Sequence, residues 1–223
     1  MKKADISFEK RVLGILTHLK NEKKDPASSP VIPVYEKNTL KAYLRVASIS
    51  SLENKEEIAN LAGWREKHAW WFPDQFTVTI EGTRTWFEKQ VIKKKDRFLF
   101  ILETPSGIPF GHMGFYRFNF SNKSCEIDNV VRGLAHQPGA MTVALLTLCD
   151  WAFTVLQMKT LFLTVFTDNT AAIKLYRRCG FTELKKIPLK KIVKADRVSW
   201  VTEQEVYKGK SERYFLQMKK ERP

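Results

Sequence analysis

Apolar and polar residues alternate along this chain with two periods, and each period marks one kind of element. Val12, Leu13, Leu16 and Leu19 recur at helical spacing, which predicts an amphipathic helix over residues 8–19. The polar, proline-bounded stretch NEKKDPASSP follows and reads as a linker. Residues 1–30 are therefore expected to be a helical extension with its linker, an appendage to one domain over residues 31–223. In KAYLRVAS, Ala42, Leu44 and Val46 alternate with polar partners, as in a first strand. SLENKEEIANLAGW predicts a helix capped by Ser51, with Leu52, Ile58 and Leu61 on one face. GWREKHAWWFPDQF is aromatic, mixed in charge and broken at Pro73, so an irregular wall is expected there. Thr83 is the candidate cap of a second helix in TRTWFEKQVIKKK.

Three strand signals with short turns come next: RFLFILE, IPFGHMGFYRF and CEIDNVV. Met141, Ala144, Leu145, Leu148, Ala152 and Val155 mark a long third helix. TLFLTVF is a near-continuous apolar run, as in a strand buried on both faces. A fourth helix over residues 170–179 stops at Gly180, a natural left-handed cap. Val198 and Trp200, then YFLQM, supply closing strands. The predicted class is α+β, a mostly antiparallel meander flanked by helices.

Composition narrows this picture little, and charge more. The 223 residues suffice for one substantial core but not for two ordinary domains. The formal net charge is +14, spread along the chain and richest toward the end, where KKIPLKKIVK lies. Such an excess suits nucleic acid, a membrane surface or phosphorylated small molecules. No nucleic-acid motif accompanies it, so the run is read as the solvated face of a strand or loop and a nucleic-acid partner is not expected. Cys125, Cys149 and Cys179 are widely spaced without metal-ligand spacing, which suggests reduced thiols and no metal site. Charged residues interrupt the first apolar run, and no later segment is long and apolar enough to span a bilayer. A cytoplasmic protein without a membrane partner is expected, and a homodimer is compatible with the sequence.

Chemistry enters at two places. DNVVRGLAHQPGAMTVALL joins a strand to the long helix through a loop with two glycines, and Pro138 precedes the helix start. The free amides over residues 139–142 would then form an anion site at the positive end of the helix dipole. The second place is FTDNTAAIKLYRRCGF, with Asn169, two alanines, Tyr176 and then Gly180-Phe181. Together, and in this order, the two motifs resemble the GNAT superfamily of acetyl-CoA-dependent N-acetyltransferases, over residues 97–181. His136 and Met141 depart from the family's loop pattern. The resemblance implies a GNAT-like sheet splayed between two central strands, with acetyl-CoA as cofactor. The backbone of Asn129, Val130 and Val131 would pair with the pantetheine arm, and residues 161–166 would be the splayed neighbour. Gln137, Gly139, Ala140, Met141 and Thr142 would hold the pyrophosphate, while Asn169, Ala172 and Tyr176 would line the arm.

In the family the tyrosine protonates the departing thiolate, a role that the resemblance gives to Tyr176. A free thiol has a pKa of about 8.5 and a phenol about 10, so full transfer is uphill by only about 2 kcal/mol. Packing alone is the rival reading of that ring. Glu126 and Asp128 share a strand face and are candidate bases, with a salt bridge to Arg117 or Arg132 as the bland alternative. His68 and His112 are further candidates, His112 more readily a structural histidine. Trp64, Arg65, His68 and His112 are candidate acceptor-binding residues. The Trp-Arg pair resembles an element of members acting on nucleotide-linked amino sugars and of the ribosomal-protein branch. The expected activity is acetylation of a primary amine of a small, phosphorylated molecule, most simply a nucleotide-activated amino sugar. Acetylation of a protein N-terminus, or CoA or RNA binding without catalysis, are the alternatives.

Overall fold

Residues 3–21, 31–135, 138–202 and 211–223 are described by the computed structural model. The first half runs α1 (Lys3–Asn21), β1 (Val31–Glu36), β2 (Thr39–Val46), α2 (Ile49–Glu53), α3 (Lys55–Lys67), β3 (Asp74–Gln75), α4 (Ile80–Phe87) and β4 (Phe98–Glu103). The second runs β5 (Pro109–Asn119), β6 (Ser124–Arg132), α5 (Ala140–Thr154), β7 (Thr160–Phe166), α6 (Thr170–Arg178), β8 (Thr182–Lys194), β9 (Arg197–Thr202) and β10 (Arg213–Glu221). All described strands join one sheet in the order β1-β2-β4-β5-β6-β7-β10-β8-β9-β3. Among the described residues, only the β6–β7 pair is parallel. The α+β class and the mostly antiparallel sheet agree with the pattern of the sequence.

Strand β4 shows how the sheet divides two cores. Phe98, Phe100 and Leu102 point into the larger core, with α1, α5 and α6. Leu99 and Ile101 point the other way, into a smaller core with Ile58 and Leu61 of α3 and Phe87 of α4. This is the two-residue period of a strand covered on both faces, which the unbroken apolar run FLFIL requires. A third cluster, Phe166, Leu189 and Trp200, lies toward the β8–β9 side. There the basic run over residues 185–194 lies on β8 with most of its side chains exposed, a solvated strand as expected.

Several local expectations are corrected. The first helix is longer than its periodic core and is not set apart in packing: Phe8, Val12 and Leu16 belong to the larger core. Arg11 donates to the carbonyls of Val155 and Leu156, and Lys20 to those of Val91 and Lys94. The linker at 22–30 lies outside the described residues. Strand β1 precedes the expected first strand. The helix expected from Ser51 is two helices, because Asn54 accepts from the Glu57 amide at 3.1 Å and starts a second one. Ser51 is buried inside the first. Thr83 is likewise inside α4, its amide bonded to Thr79, and Thr79 is the cap, accepting from Gly82 at 3.0 Å. The first residues of the expected wall, 63–67, are the last turn of α3, and a single 3-10 turn and the short β3 follow.

Candidate active site

Strands β6 and β7 pair at only three positions, Ser124 with Thr160, Cys125 with Leu161 and Glu126 with Phe162. Beyond Glu126 they part. β6 stays paired with β5 as far as Arg132, and β7 with β10 as far as Phe166. The divergence begins beside a bulge: His112 opposes Val131 and Gly114 opposes Asp128, so one residue of β5 faces two of β6. Asn129 adopts φ 53° there, in the left-handed region. Its carbonyl accepts from His112 Nδ1 at 2.8 Å. A carbonyl can only accept, so Nδ1 carries the proton, and in the neutral ring the lone pair is on Nε2. Burial lowers the pKa of His112 to about 4, which keeps the ring uncharged.

Helix α5 starts from Gly139, left-handed at φ 84°. That conformation strains any residue with a Cβ. The amides of Thr142 and Val143 both bond the Gly139 carbonyl, at 2.9 and 3.2 Å. Thr142 therefore drops out of the expected set of free amides. Those of Gly139, Ala140 and Met141 meet no acceptor among the described residues, as the first turn of a helix dictates. Gln137 lies outside the described residues. On the other side of the gap, Asn169 caps α6 by accepting from Ala172 at 3.1 Å, which leaves only its side-chain nitrogen to donate elsewhere.

Tyr176 projects from α6 and is 8% exposed, its ring edge-on to Phe181 at 6.2 Å. Burial, then the charge of Asp128, then Cys179, raise the phenol pKa, so the proton stays on the oxygen at neutral pH. Asp128 takes donors from Arg97 at 2.6 and 3.0 Å and from the Asn129 side chain at 2.7 Å, all on Oδ2. No described group donates to Oδ1. Glu126 instead pairs with Arg117 at 3.0 Å. Burial raises the pKa of Glu126, with Arg117 opposing. Both expected carboxylates therefore have arginine partners, and the charge of Asp128 acts on the phenol.

The four expected acceptor-binding residues come together beside the far end of β6, but mostly as packing. The Trp64 ring lies against Gly133, where a Cβ would sit 2.1 Å from it, and 6.0 Å from the ring of His112. Arg65 stacks on Phe72 at 3.6 Å and bonds the Asp74 carbonyl. His68 Nε2 lies 2.8 Å from the Arg132 carbonyl. Sequence reasoning missed Arg97, which reaches Asp128 from the start of β4 across the intervening β5, and Arg213. The latter lies 3.4 Å over the Phe166 ring and holds Asp168, the residue before the α6 cap, at 3.0 and 3.2 Å. Neither carries a local signal, since each partner lies 31 or more residues away in the chain.

The parted strands, the left-handed glycine and the free amides suit a cofactor with a diphosphate and an amide-bearing arm. The chain belongs to the acetyltransferase (GNAT) domain family, which matches residues 49–182, more than half its length. It is accordingly an N-acetyltransferase using acetyl-CoA. Among curated proteins it is similar to a spermidine N(1)-acetyltransferase of Vibrio cholerae, 23% identical over 126 residues, or 56% of this chain and 72% of that one. The fold is shared with the spermidine N-acetyltransferase from Vibrio cholerae solved with CoA and spermine, with a TM-score of 0.60, 15% identity and coverage of 81% and 95%. A probable GNAT acetyltransferase from Chromobacterium violaceum gives a TM-score of 0.62 at 17% identity, covering 90% and 91%. The spermidine acetyltransferases among these relatives are not of the amino-sugar or ribosomal-protein branches expected from the Trp-Arg pair. That pair packs against Gly133 and Phe72. Among the described residues, no helix is long and apolar enough to cross a membrane.

Proposed function

We propose that this chain acetylates a primary amine of a small aliphatic polyamine, with Asp128 holding the ammonium and Tyr176 donating the proton. The observation that carries this reading is the uncommitted Oδ1 of Asp128, close enough to Tyr176 that its charge raises the phenol pKa. Bound acetyl-CoA supplies the thioester that is cleaved and the thiol that departs. The amides of Gly139, Ala140 and Met141 would hold its diphosphate, and the unpaired edge of residues 129–131 would meet its arm. Asn169 would add one side-chain donor. Tyr176 holds a proton on its phenol oxygen, where developing negative charge would be met by a short, tightening hydrogen bond.

Asp128 is read as binding the cation rather than deprotonating it. For an alkylammonium, pKa about 10.4, losing the proton to solvent at pH 8 costs only about 3 kcal/mol. The carboxylate therefore orients a cation whose proton leaves to water. His112, neutral and bonded to the Asn129 carbonyl, fixes the bulge that aims Asp128. A phosphorylated acceptor is disfavoured, because Glu126 and Asp128 line the strand beside the gap and would repel a diphosphate. The similarity to polyamine acetyltransferases supports the same choice. The test compares turnover on spermidine, a nucleotide-linked amino sugar and an N-terminal peptide at equal concentration. Spermidine should be preferred at least tenfold. Faster turnover on the sugar or the peptide overturns the acceptor, though not the enzyme class.

A further inference from the structure

A short stretch of chain after α3 joins the two ends of the parted strands. β6 keeps its pairing with β5 as far as Arg132, and β7 its pairing with β10 as far as Phe166. His68 Nε2 lies 2.8 Å from the Arg132 carbonyl. Two residues on, the Trp70 carbonyl accepts from Arg213 at 3.2 Å, and the Arg213 guanidinium lies 3.4 Å over the Phe166 ring. Residues 68–70 thus run from the end of one parted strand to the end of the other. Two peptide units separate the anchors, at most about 7.6 Å of main chain. A link this short has little slack, so whatever holds its ends also sets their spacing.

The turn does not hold itself. It is a single 3-10 turn, Ala69–Trp71, too short to be stable alone. Trp70 and Trp71 are 57% and 38% exposed, so burial fixes it only in part. The Trp70 carbonyl accepts from Gln75 at 3.3 Å as well as from Arg213, and of these two donors the arginine is buried. Arg213 Nε and Nη2 fork onto the two oxygens of Asp168 at 3.2 and 3.0 Å, while Nη1 donates to Trp70. The guanidinium also lies 4.7 Å from the Trp70 ring centre. A planar cation with three acceptors and two aromatic neighbours suits arginine and not lysine. Asp168 precedes Asn169, the cap of α6, and α6 carries Tyr176. One guanidinium therefore ties the bridging turn to the start of that helix.

We infer that Arg213 is a positioning residue for acetyl transfer: through the Asp168 carboxylate and the Trp70 carbonyl it fixes the turn over residues 68–71 across the open end of the parted strands. It touches neither reacting group and acts through the turn and the helix it joins. Transfer requires the amine and the thioester to meet within a fraction of an ångström, and a misplacement of about 1 Å can cost about a hundredfold. The inference rests on the parted strands being the acetyl-transfer site. It does not rest on the choice of a polyamine as acceptor.

The test is steady-state kinetics of Arg213→Lys in the full chain, which keeps the charge and loses the fork. The acceptor is whichever amine the parent turns over fastest, and the assay temperature lies below the unfolding of every variant compared. The KM for the amine should rise about tenfold or more, while the Kd of CoA, measured by calorimetry, should stay within about threefold of the parent. A purely structural arginine would lower the unfolding temperature and leave that split unmoved. Asp168 is 46% exposed, so Asp168→Asn is a second variant that spares the buried partner. It should raise the amine KM about threefold, and the double variant should be no worse than Arg213→Lys alone, as one clamp requires. An unchanged amine KM in folded Arg213→Lys, an equal weakening of CoA, or additive losses in the double variant overturns the assignment. If Arg213→Lys does not fold, Asp168→Asn decides, and an unchanged amine KM there overturns it too. A preference for the sugar or the peptide over spermidine would overturn the polyamine reading and leave this clamp standing, so the two fall separately.

Discussion

Strands β6 and β7 begin as neighbours and end apart, and the two ends of this one pair behave as different materials. At the closed end Cys125 and Leu161 are buried and the backbone bonds run across the pair. At the open end the same two strands leave one edge of β6 without a ladder partner. The difference does not come from the burial of β7, since Leu163, Val165 and Phe166 are as buried as Leu161. It comes from one extra residue in β6 at Asn129, held in the left-handed region by the His112 hydrogen bond. A bulge that re-aims a strand changes unpaired backbone groups from a structural defect into binding groups. On the proposed reading, the closed end supplies stability and the open end, beside Asp128 and Tyr176, supplies chemistry.

Substitutions at the two ends should therefore separate rate from stability. The largest effect is expected at the open end: Tyr176→Phe removes the proton donor and should lower kcat by about 10²- to 10⁴-fold. Its thermal unfolding and the acetyl-CoA concentration needed for half-saturation should change little. If kcat holds while the cofactor still binds, the phenol is packing. At the closed end, Leu161→Ala should cost about 2–5 kcal/mol in urea unfolding, since Leu161 is fully buried. The molecules that remain folded should keep the parental kcat. A loss of kcat with little loss of stability there would erase the division between the ends.

The division also explains what could be read from the sequence. The strands CEIDNVV and TLFLTVF, the long helix and the short one were legible because their periodicity is a local property. So were Tyr176 and the glycine before α5, which sit in contiguous motifs. The bulge at Asn129 was not, because it depends on the register of β5 against β6, and no local pattern states that register. Arg97 escaped for the same reason, since its partner is two strands away. Ser51 and Thr83 were misread as caps because several polar residues stood near each helix start, and only the observed geometry selects Asn54 and Thr79. Trp64 and Arg65 looked like a pocket wall because aromatic and charged residues lay together. Gly133, 69 residues on, receives the tryptophan ring instead.

His112 offers a smaller, pH-dependent test of the bulge. Its folded pKa is about 4 against a free value of 6.5, so between those values the unfolded chain binds the proton that the folded chain refuses. Stability is thus fully retained above pH 6.5 and lost as the pH falls toward 4. At pH 4.5 the loss from this group should be about 2–3 kcal/mol relative to pH 7.5. Urea unfolding at the two pH values should show His112→Asn losing less than the parent by that amount. Equal losses would mean that the ring is not held neutral and does not fix the bulge.

The smallest expected effect decides between the two carboxylates of β6. Arg117 is 68% exposed and pairs with Glu126, so Arg117→Ala should change stability by less than about 1 kcal/mol. The deletion removes the cation that opposes the burial-driven rise of the Glu126 pKa, which must then climb further. If Glu126 took the proton of the attacking amine, the acid limb of kcat/KM against pH would follow it upward. With Asp128 as the anchor and solvent as the proton sink, the limb should stay where it is and kcat/KM should change less than twofold. A displaced limb would move catalysis back to the residue at the junction of the paired and parted segments. The open end alone would then no longer carry the chemistry.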